Sequence, residues 1–220
     1  MTHSHRRQNT CKSIVSNADS FASYISGKIQ ATRQRFDSIT RTSRVTSQKT
    51  RGVKRINQYI IKQTIGTGSY GKVKLCMNVK NKKVYAMKIL EKNLLKKRGG
   101  QTQGKTDSDL DDMIQDMKFL TEMKHINVIR LHEIINDPDS KKVYLVMDYL
   151  QGGNLAELLE EADDGLPLEK VRGYFRGLLS AIHYCHEVKK IAHRDIKPEN
   201  IMLDKYGQVY LTDFGVSEFF

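Results

Sequence analysis

The sequence predicts an α+β fold: a small lobe made of an antiparallel sheet plus one main helix, followed by the first part of a helical lobe. Three observations carry this. β-rich runs recur at Tyr59-Ile60-Ile61, Val73-Lys74-Leu75, Val84-Tyr85-Ala86-Met87-Lys88-Ile89 and Val143–Met147. Between the third and fourth runs, Leu110, Met113, Met117 and Leu120 keep helical spacing. After the fourth, Val171, Phe175, Leu178, Ile182 and Cys185 mark a long amphipathic helix introduced by Pro167.

Ahead of the first strand, residues 1–55 are rich in Ser, Thr, Arg and Gln. Such a segment buries too little apolar surface to offset its ordering entropy, so a disordered tail is expected, with one short amphipathic helix around residues 19–30 from Phe21, Ile25 and Ile29. The tail holds twelve Lys/Arg against Asp19 and Asp37, or +10 of the formal +12, and the remainder nets only +2. A basic field confined to a tail, without interleaved aromatics, does not make a nucleic-acid module, so no nucleic-acid partner is expected. Its contacts with anionic surfaces should be weak and salt-sensitive. No run is long and apolar enough to span a bilayer, and no compact apolar stretch follows the N-terminal charges as in a secretory signal. Cys11, Cys76 and Cys185 are far apart and lack metal-ligand spacing, which points to free thiols in a reducing compartment. A cytoplasmic location is the expectation; the Arg/Ser-rich tail also has the composition of a nuclear or mitochondrial address.

Gly66-Thr67-Gly68-Ser69-Tyr70-Gly71-Lys72-Val73 matches G-x-G-x-x-G-x-V. Glycine belongs where backbone must lie against phosphates with no Cβ between. Taken alone, the pattern also fits a Rossmann turn or a plain glycine hairpin. The β-like Val73 and Leu75 that follow disfavour the Rossmann turn, which would open a helix. Ala86-Met87-Lys88 then lies on the next strand, His193-Arg194-Asp195-Ile196-Lys197-Pro198-Glu199-Asn200 matches H-R-D-x-x-x-x-N, and Asp213-Phe214-Gly215 stands thirteen residues after Asn200, at the end of the strand Val209-Tyr210-Leu211.

Residues 59–220 with these four elements in order resemble the protein kinase superfamily, specifically its Ser/Thr members, which carry a lysine two residues after the loop aspartate as Lys197 does here. The resemblance implies a kinase-like fold, with an N-lobe at 59–150 and part of a C-lobe at 151–220. It implies ATP and Mg²⁺ as cofactors and phosphoryl transfer to protein Ser/Thr hydroxyls. It makes Asp195 the catalytic base, Lys197 a neutraliser of the γ-phosphate, Lys88 the binder of the α/β-phosphates, and Asn200 and Asp213 the metal ligands. It places ATP against Ile65, Gly66, Thr67, Gly68, Ser69, Tyr70, Gly71, Val73, Ala86, Met147, Asp148, Leu150 and Met202, with Met147 as gatekeeper and the Asp148 carbonyl and Leu150 amide as the adenine contacts. Asn154 stands where many relatives carry an acidic residue that meets the ribose. Leu120, Leu131, His193 and Phe214 look like the apolar column linking the lobes.

One departure concerns the glutamate that normally pairs with the strand lysine. Counting back nine residues from His125 puts Asp116 there, one methylene shorter, with Asp112 a turn earlier as a second candidate. Within the superfamily, three features resemble the calcium/calmodulin-dependent protein kinase kinases and the liver kinase group, and imply a substrate that is itself a kinase. These are the basic stretch Leu90–Arg98, the segment Asn127–Leu131 leading to an Asn-Asp-Pro turn, and Val216-Ser217-Glu218 after the Asp-Phe-Gly; the insert lacks the prolines of those relatives. Only five residues follow Gly215, so a C-terminally truncated domain, alone inactive, is expected. The alternative is a truncated or pseudokinase fragment that binds nucleotide as a scaffold.

Overall fold

Eight strands and one long helix account for most of the architecture. The computed structural model describes residues 40–50, 52–68, 71–93, 120–121, 123–214 and 217–219. In chain order come β1 (Thr40–Thr42), β2 (Ser47–Thr50), β3 (Val53–Ile56), β4 (Tyr59–Gly68), β5 (Gly71–Asn78), β6 (Val84–Glu91), β7 (Leu131–Asn136) and β8 (Lys142–Asp148). They form one sheet in the order β1-β7-β8-β6-β5-β4-β3-β2, antiparallel except where β1 runs parallel to β7. The β5–β6 turn is closed by two short polar side chains: Lys80 N donates to Asn78 Oδ1 and Lys83 N to Asn81 Oδ1.

The two faces of the sheet bury different sets. One holds Ile56, Tyr59, Cys76, Tyr85, Met87, Ile135, Tyr144 and Val146, with Val45 packed on them. The other holds Leu90, Leu131, Ile134, Val143 and Leu145, with Leu120 and Met147 against them. This is the period-two alternation of a strand buried on both sides. Burial pushes the Cys76 thiol up to about 12, and Cys185 likewise, so neither is a thiolate at neutral pH.

The sheet begins earlier than the sequence indicates. β1, β2 and most of β3 lie in the segment assigned to the tail, so the boundary at residue 55 moves. These strands are polar or basic and mostly exposed, so they carry no alternating apolar signal; only Val45 and the fully buried Ile56 reach the core. Residues 40–50 form a strap that pairs with β7 at one end and β3 at the other, joining the two edges of the sheet. Thr42 Oγ1 donates to Glu133 (2.5 Å), Val45 N donates to Asp137 Oδ2 (2.8 Å), and Thr46 N donates to Asn57 Oδ1 (2.7 Å). Glu133, 3% exposed, also accepts from Gln58 Nε2 and Tyr59 Oη. The helices expected around 19–30 and 110–120, and the basic loop at 94–108, lie outside the described residues except for Leu120.

Beyond the sheet, α1 (Leu155–Glu160) is started by a capping box: Asn154 Oδ1 accepts from Glu157 N, and Glu157 Oε2 accepts from Asn154 N. α2 (Leu168–His183) follows Pro167 and runs into a short π-helical turn at Tyr184–Val188. Its inner face joins Met123, Val128, Ala181, Tyr184, Cys185, Ile191, Leu211 and Phe214. Phe175 and Leu168 on its outer face are exposed. Two short ladders complete this lobe: β9 (Ile191–Ala192), β10 (Ile201–Leu203), β11 (Val209–Leu211) and β12 (Glu218–Phe219), with β10 pairing β11 and β12 pairing β9.

Candidate active site

Strand register gathers the first half of the site. Val73 lies opposite Lys88, Leu75 opposite Ala86, Ala86 opposite Met147, and Lys88 opposite Leu145. Cross-strand partners share a face, and so do residues two apart, so Val73, Ala86, Lys88 and Met147 line one side of the sheet. The glycine turn covers its end, with Gly66 opposite Val73 and Gly68 opposite Gly71. At Gly71 a Cβ would come within 1.8 Å of the Ile89 carbonyl oxygen, so no side chain fits. Ile65 and Thr67 lie on the same strand end, while Ser69 and Tyr70 lie outside the described residues.

The sheet ends at Asp148, whose N–H donates to the Arg130 carbonyl (3.1 Å), and Leu150 is buried just beyond. Gly152 N then donates to Leu203 O, and Leu203 N donates to Gly153 O. This pairing and the Asn154–Met202 bridge bring Met202 beside the segment that leaves the sheet. The Asn154 carboxamide is committed to capping α1, so the ribose contact implied for it finds no support in its hydrogen bonding.

The second half is a loop held from below. His193, 2% exposed, donates from Nε2 to the Thr212 carbonyl (2.8 Å), and Asp195 N donates to its Nδ1 (3.3 Å). One nitrogen donates and the other accepts, which is the neutral ring. Burial holds its pKa below the usual histidine range, in the same direction. Phe214 packs edge-on against it, ring centroids 4.6 Å apart. With Phe214 buried, Asp213 faces the cleft in a left-handed backbone conformation, φ +57°; Arg194 is left-handed too, φ +64°. Non-glycine residues are held there only when their surroundings fix them, which is common at functional sites.

Asp195 stands at the centre. Lys197 Nζ lies 3.0 Å from its Oδ2, and Asn200 Nδ2 donates to its carbonyl (2.8 Å) and its Oδ2 (2.9 Å). The bond from Lys197 is the main cause that holds the Asp195 carboxyl below its ordinary value, and the same bond raises Lys197. A carboxylate so held stays ionised and can receive a proton. Thr212 N and Oγ1 both donate to Asn200 O, tying the loop to the strand that ends in Asp213. Across the cleft, Lys88 Nζ sits 2.6 Å from Asp213 Oδ1. Asp116 and Asp112 lie outside the described residues, so the partner seen for Lys88 is Asp213.

Asn200 and Asp213 each carry a side-chain oxygen that could ligate a metal, on segments joined by the bonds from Thr212 to Asn200 O. Among the described residues no cluster of three or more His, Cys, Asp or Glu could hold a metal. Two ligands suit Mg²⁺, which keeps waters and takes substrate phosphate oxygens for the rest of its shell. Two contacts escaped sequence reasoning. His132 Nε2 lies 2.6 Å from Asp148 Oδ1. Ser217 Oγ donates to the His193 carbonyl (3.2 Å), pinning the chain after Asp213 back onto the loop. Neither has a sequence signal, because each joins residues brought together only by the fold.

Comparison with known proteins gives concordant results. The family model for the protein kinase domain matches residues 59–220. A probable serine/threonine-protein kinase of Dictyostelium discoideum is 39% identical over 170 residues, 77% of this chain and 23% of that protein. A calcium/calmodulin-dependent protein kinase kinase of Caenorhabditis elegans is 34% identical over 186 residues, 79% of this chain and 34% of that protein. The serine/threonine-protein kinase ssp1 of Schizosaccharomyces pombe is 36% identical over 167 residues, 76% of this chain and 25% of that protein. The chain thus spans about a quarter to a third of the length of these relatives.

Proposed function

The chain belongs to the protein kinase family, and from that premise we propose that it transfers the γ-phosphoryl group of ATP to Ser/Thr hydroxyls of protein substrates. The observation that carries the reading is the Asp195 carboxylate, held ionised by Lys197 and Asn200 on a loop tied to Asp213 and, through it, to Lys88. Phosphoryl transfer is mostly positioning and charge neutralisation, and these residues divide that work. Asp195 takes the proton of the substrate hydroxyl as its oxygen bonds to the γ-phosphorus. The bond to the bridging oxygen breaks and ADP leaves. Lys197 neutralises charge on the transferring group, and Lys88 holds the α/β-phosphates. Asn200 and Asp213 would hold Mg²⁺, which supplies neutralisation of the phosphate oxygens when bound.

Adenine lies between Val73 and Ala86 on one side and Met202 on the other, with Met147 behind it and the Asp148 carbonyl and Leu150 amide as its polar contacts. The turn from Ile65 to Gly71 covers the phosphates. Asp116 serves as the helix partner of Lys88 in the nucleotide-bound state, a reading supported by its count from His125. If so, Asp116→Glu keeps activity and Asp116→Ala lowers it. Similarity to a protein kinase kinase supports another kinase as substrate. A cytoplasmic place of action is supported by the buried free thiols Cys76 and Cys185. Nothing specific favours a non-catalytic scaffold, since Lys88, Asp195, Asn200 and Asp213 are all in place. The test is transfer of label from radiolabelled ATP to a protein substrate by a chain that carries a whole kinase domain, with Asp195→Asn as control. Incorporation abolished by the control is expected; equal incorporation by both would refute the role of Asp195, and Mg-ATP binding without transfer would refute the reaction.

A further inference from the structure

The averaged charge of the chain hides a sharp division. Residues 40–93 contain fourteen Lys/Arg and one acidic residue, Glu91, a net +13, while residues 94–220 contain seventeen Lys/Arg against twenty-two Asp/Glu, a net −5. The basic field therefore does not belong to a tail; it is built into the strands of the small lobe. Three of these cations, Lys49, Lys54 and Arg55, stand on the β2–β3 hairpin. Lys49 and Lys54 sit directly opposite one another, both exposed. Among the described residues neither has an acidic partner. Like charges placed directly across a strand pair destabilise it, and nothing described on this chain offsets that cost.

The next pair along, Gln48 and Arg55, projects from the other face of the hairpin. With Thr46 and Asn57 it lines a polar cleft of about 140 Å³, where Arg55 Nε donates to the Asn57 carbonyl and so is held in place. Cations thus stand on both faces of the hairpin. Its outer strand, β2, is the last in the sheet, and its outer edge has no partner among the described residues.

We propose that the β2 edge is a docking site for a run of consecutive acidic residues in an extended segment of a partner protein. A strand added to the edge alternates its side chains between the two faces. Lys49 and Lys54 would meet one set of carboxylates, and Arg55 in the polar cleft the other. A membrane is flat and meets one face. Single-stranded nucleic acid is held by aromatic stacking, and β2 and β3 contain no aromatic residue. This surface lies apart from the cleft that holds Lys88 and Asp195, and the inference does not depend on phosphoryl transfer.

The experiment measures binding of a short fluorescent peptide of alternating Asp and Glu to the whole chain, over a range of salt. Lys49→Glu, Lys54→Glu and Arg55→Glu together should weaken binding at least about tenfold, and salt should weaken wild-type binding steeply. Lys170→Glu, Arg176→Glu and Lys205→Glu make the same change in net charge on the other lobe and should weaken it less than about twofold. A peptide with proline at every second position cannot add as a strand, and should bind several-fold more weakly. Equal losses in the two triple variants would mean net charge alone, and would overturn the proposal, as would equal binding of the proline peptide. Tighter binding of single-stranded DNA or phosphatidylserine vesicles than of the acidic peptide, lost in the first variant, would overturn the choice of partner. Thermal melting of each variant separates lost binding from lost folding, and Lys49→Ala with Lys54→Ala gives the same reading by a milder change.

Discussion

Two glycines one helical turn apart in α2, Gly173 and Gly177, should respond to the same substitution with opposite signs. Glycine inside a helix costs roughly 0.5–1 kcal/mol relative to alanine, because the unfolded chain loses more freedom on folding. At Gly173 a Cβ meets nothing within 4 Å, so Gly173→Ala should recover about that amount. At Gly177 the Cβ would sit 2.4 Å from Val209 Cγ2 and 3.0 Å from Asn127 Nδ2. Val209 is a buried strand residue, and Asn127 is fixed by its own bond to the Val209 carbonyl, so neither moves freely. Overpacking of this kind costs about 1–3 kcal/mol, against which the helix gain is smaller. For a chain of this size each kcal/mol moves Tm by roughly 2–4 °C. Calorimetric melting should therefore show Gly173→Ala above wild type by about 1–4 °C and Gly177→Ala below it by a few degrees. Gly177→Ala should also lower phosphotransfer, because Val209 leads β11 toward Asp213. If Gly177→Ala were as stabilising as Gly173→Ala, the close approach of α2 to β11 would be wrong.

Further outcomes follow from the site and the sheet. Lys88→Met should cut kcat/KM roughly a hundredfold, about 3 kcal/mol of lost charge stabilisation, and near-wild-type turnover in a steady-state assay would remove the lysine from the mechanism. Glu133→Ala strands the hydroxyl of the buried Tyr59 and should lower stability by about 1–3 kcal/mol in urea titrations, whereas an unchanged midpoint would mean that the strap is held by other contacts. His193 titrates below the usual histidine value in the fold. The unfolded chain therefore takes up the proton first, and stability should fall as pH drops below about 6.5. His193→Phe should flatten that part of a stability–pH curve, and an unaltered slope would contradict the buried neutral ring.

The catalytic elements were legible because their chemistry constrains residue type. Loop and metal carboxylates, strand lysine and glycine turn can be exchanged for little else, so Asp195, Lys88 and Gly71 stand out one by one. The central strands were legible too, since β6 and β8 are apolar on both faces. The strap was not. Thr42 and Thr46 are held in place because Glu133 and Asn57 wait for them, and a polar strand at a sheet edge has no period of its own. The net +2 over residues 56–220 misled in another way, by adding a basic lobe to an acidic one. The Lys88–Asp213 pair was unforeseen because lysine and aspartate, 125 residues apart, were each read as partners of something else.

The strap also fixes an order of events. Its bond from Thr42 to Glu133 spans 91 residues, and that from Val45 to Asp137 spans 92. During synthesis the strap leaves the ribosome before anything it pairs with exists, and contacts of such separation are the slow ones in folding. The first described strand to be made is thus among the last to be placed. Until β7 arrives, Thr42 lacks Glu133 and Val45 lacks Asp137, and a basic, hydroxyl-rich strand stays open to whatever meets it first.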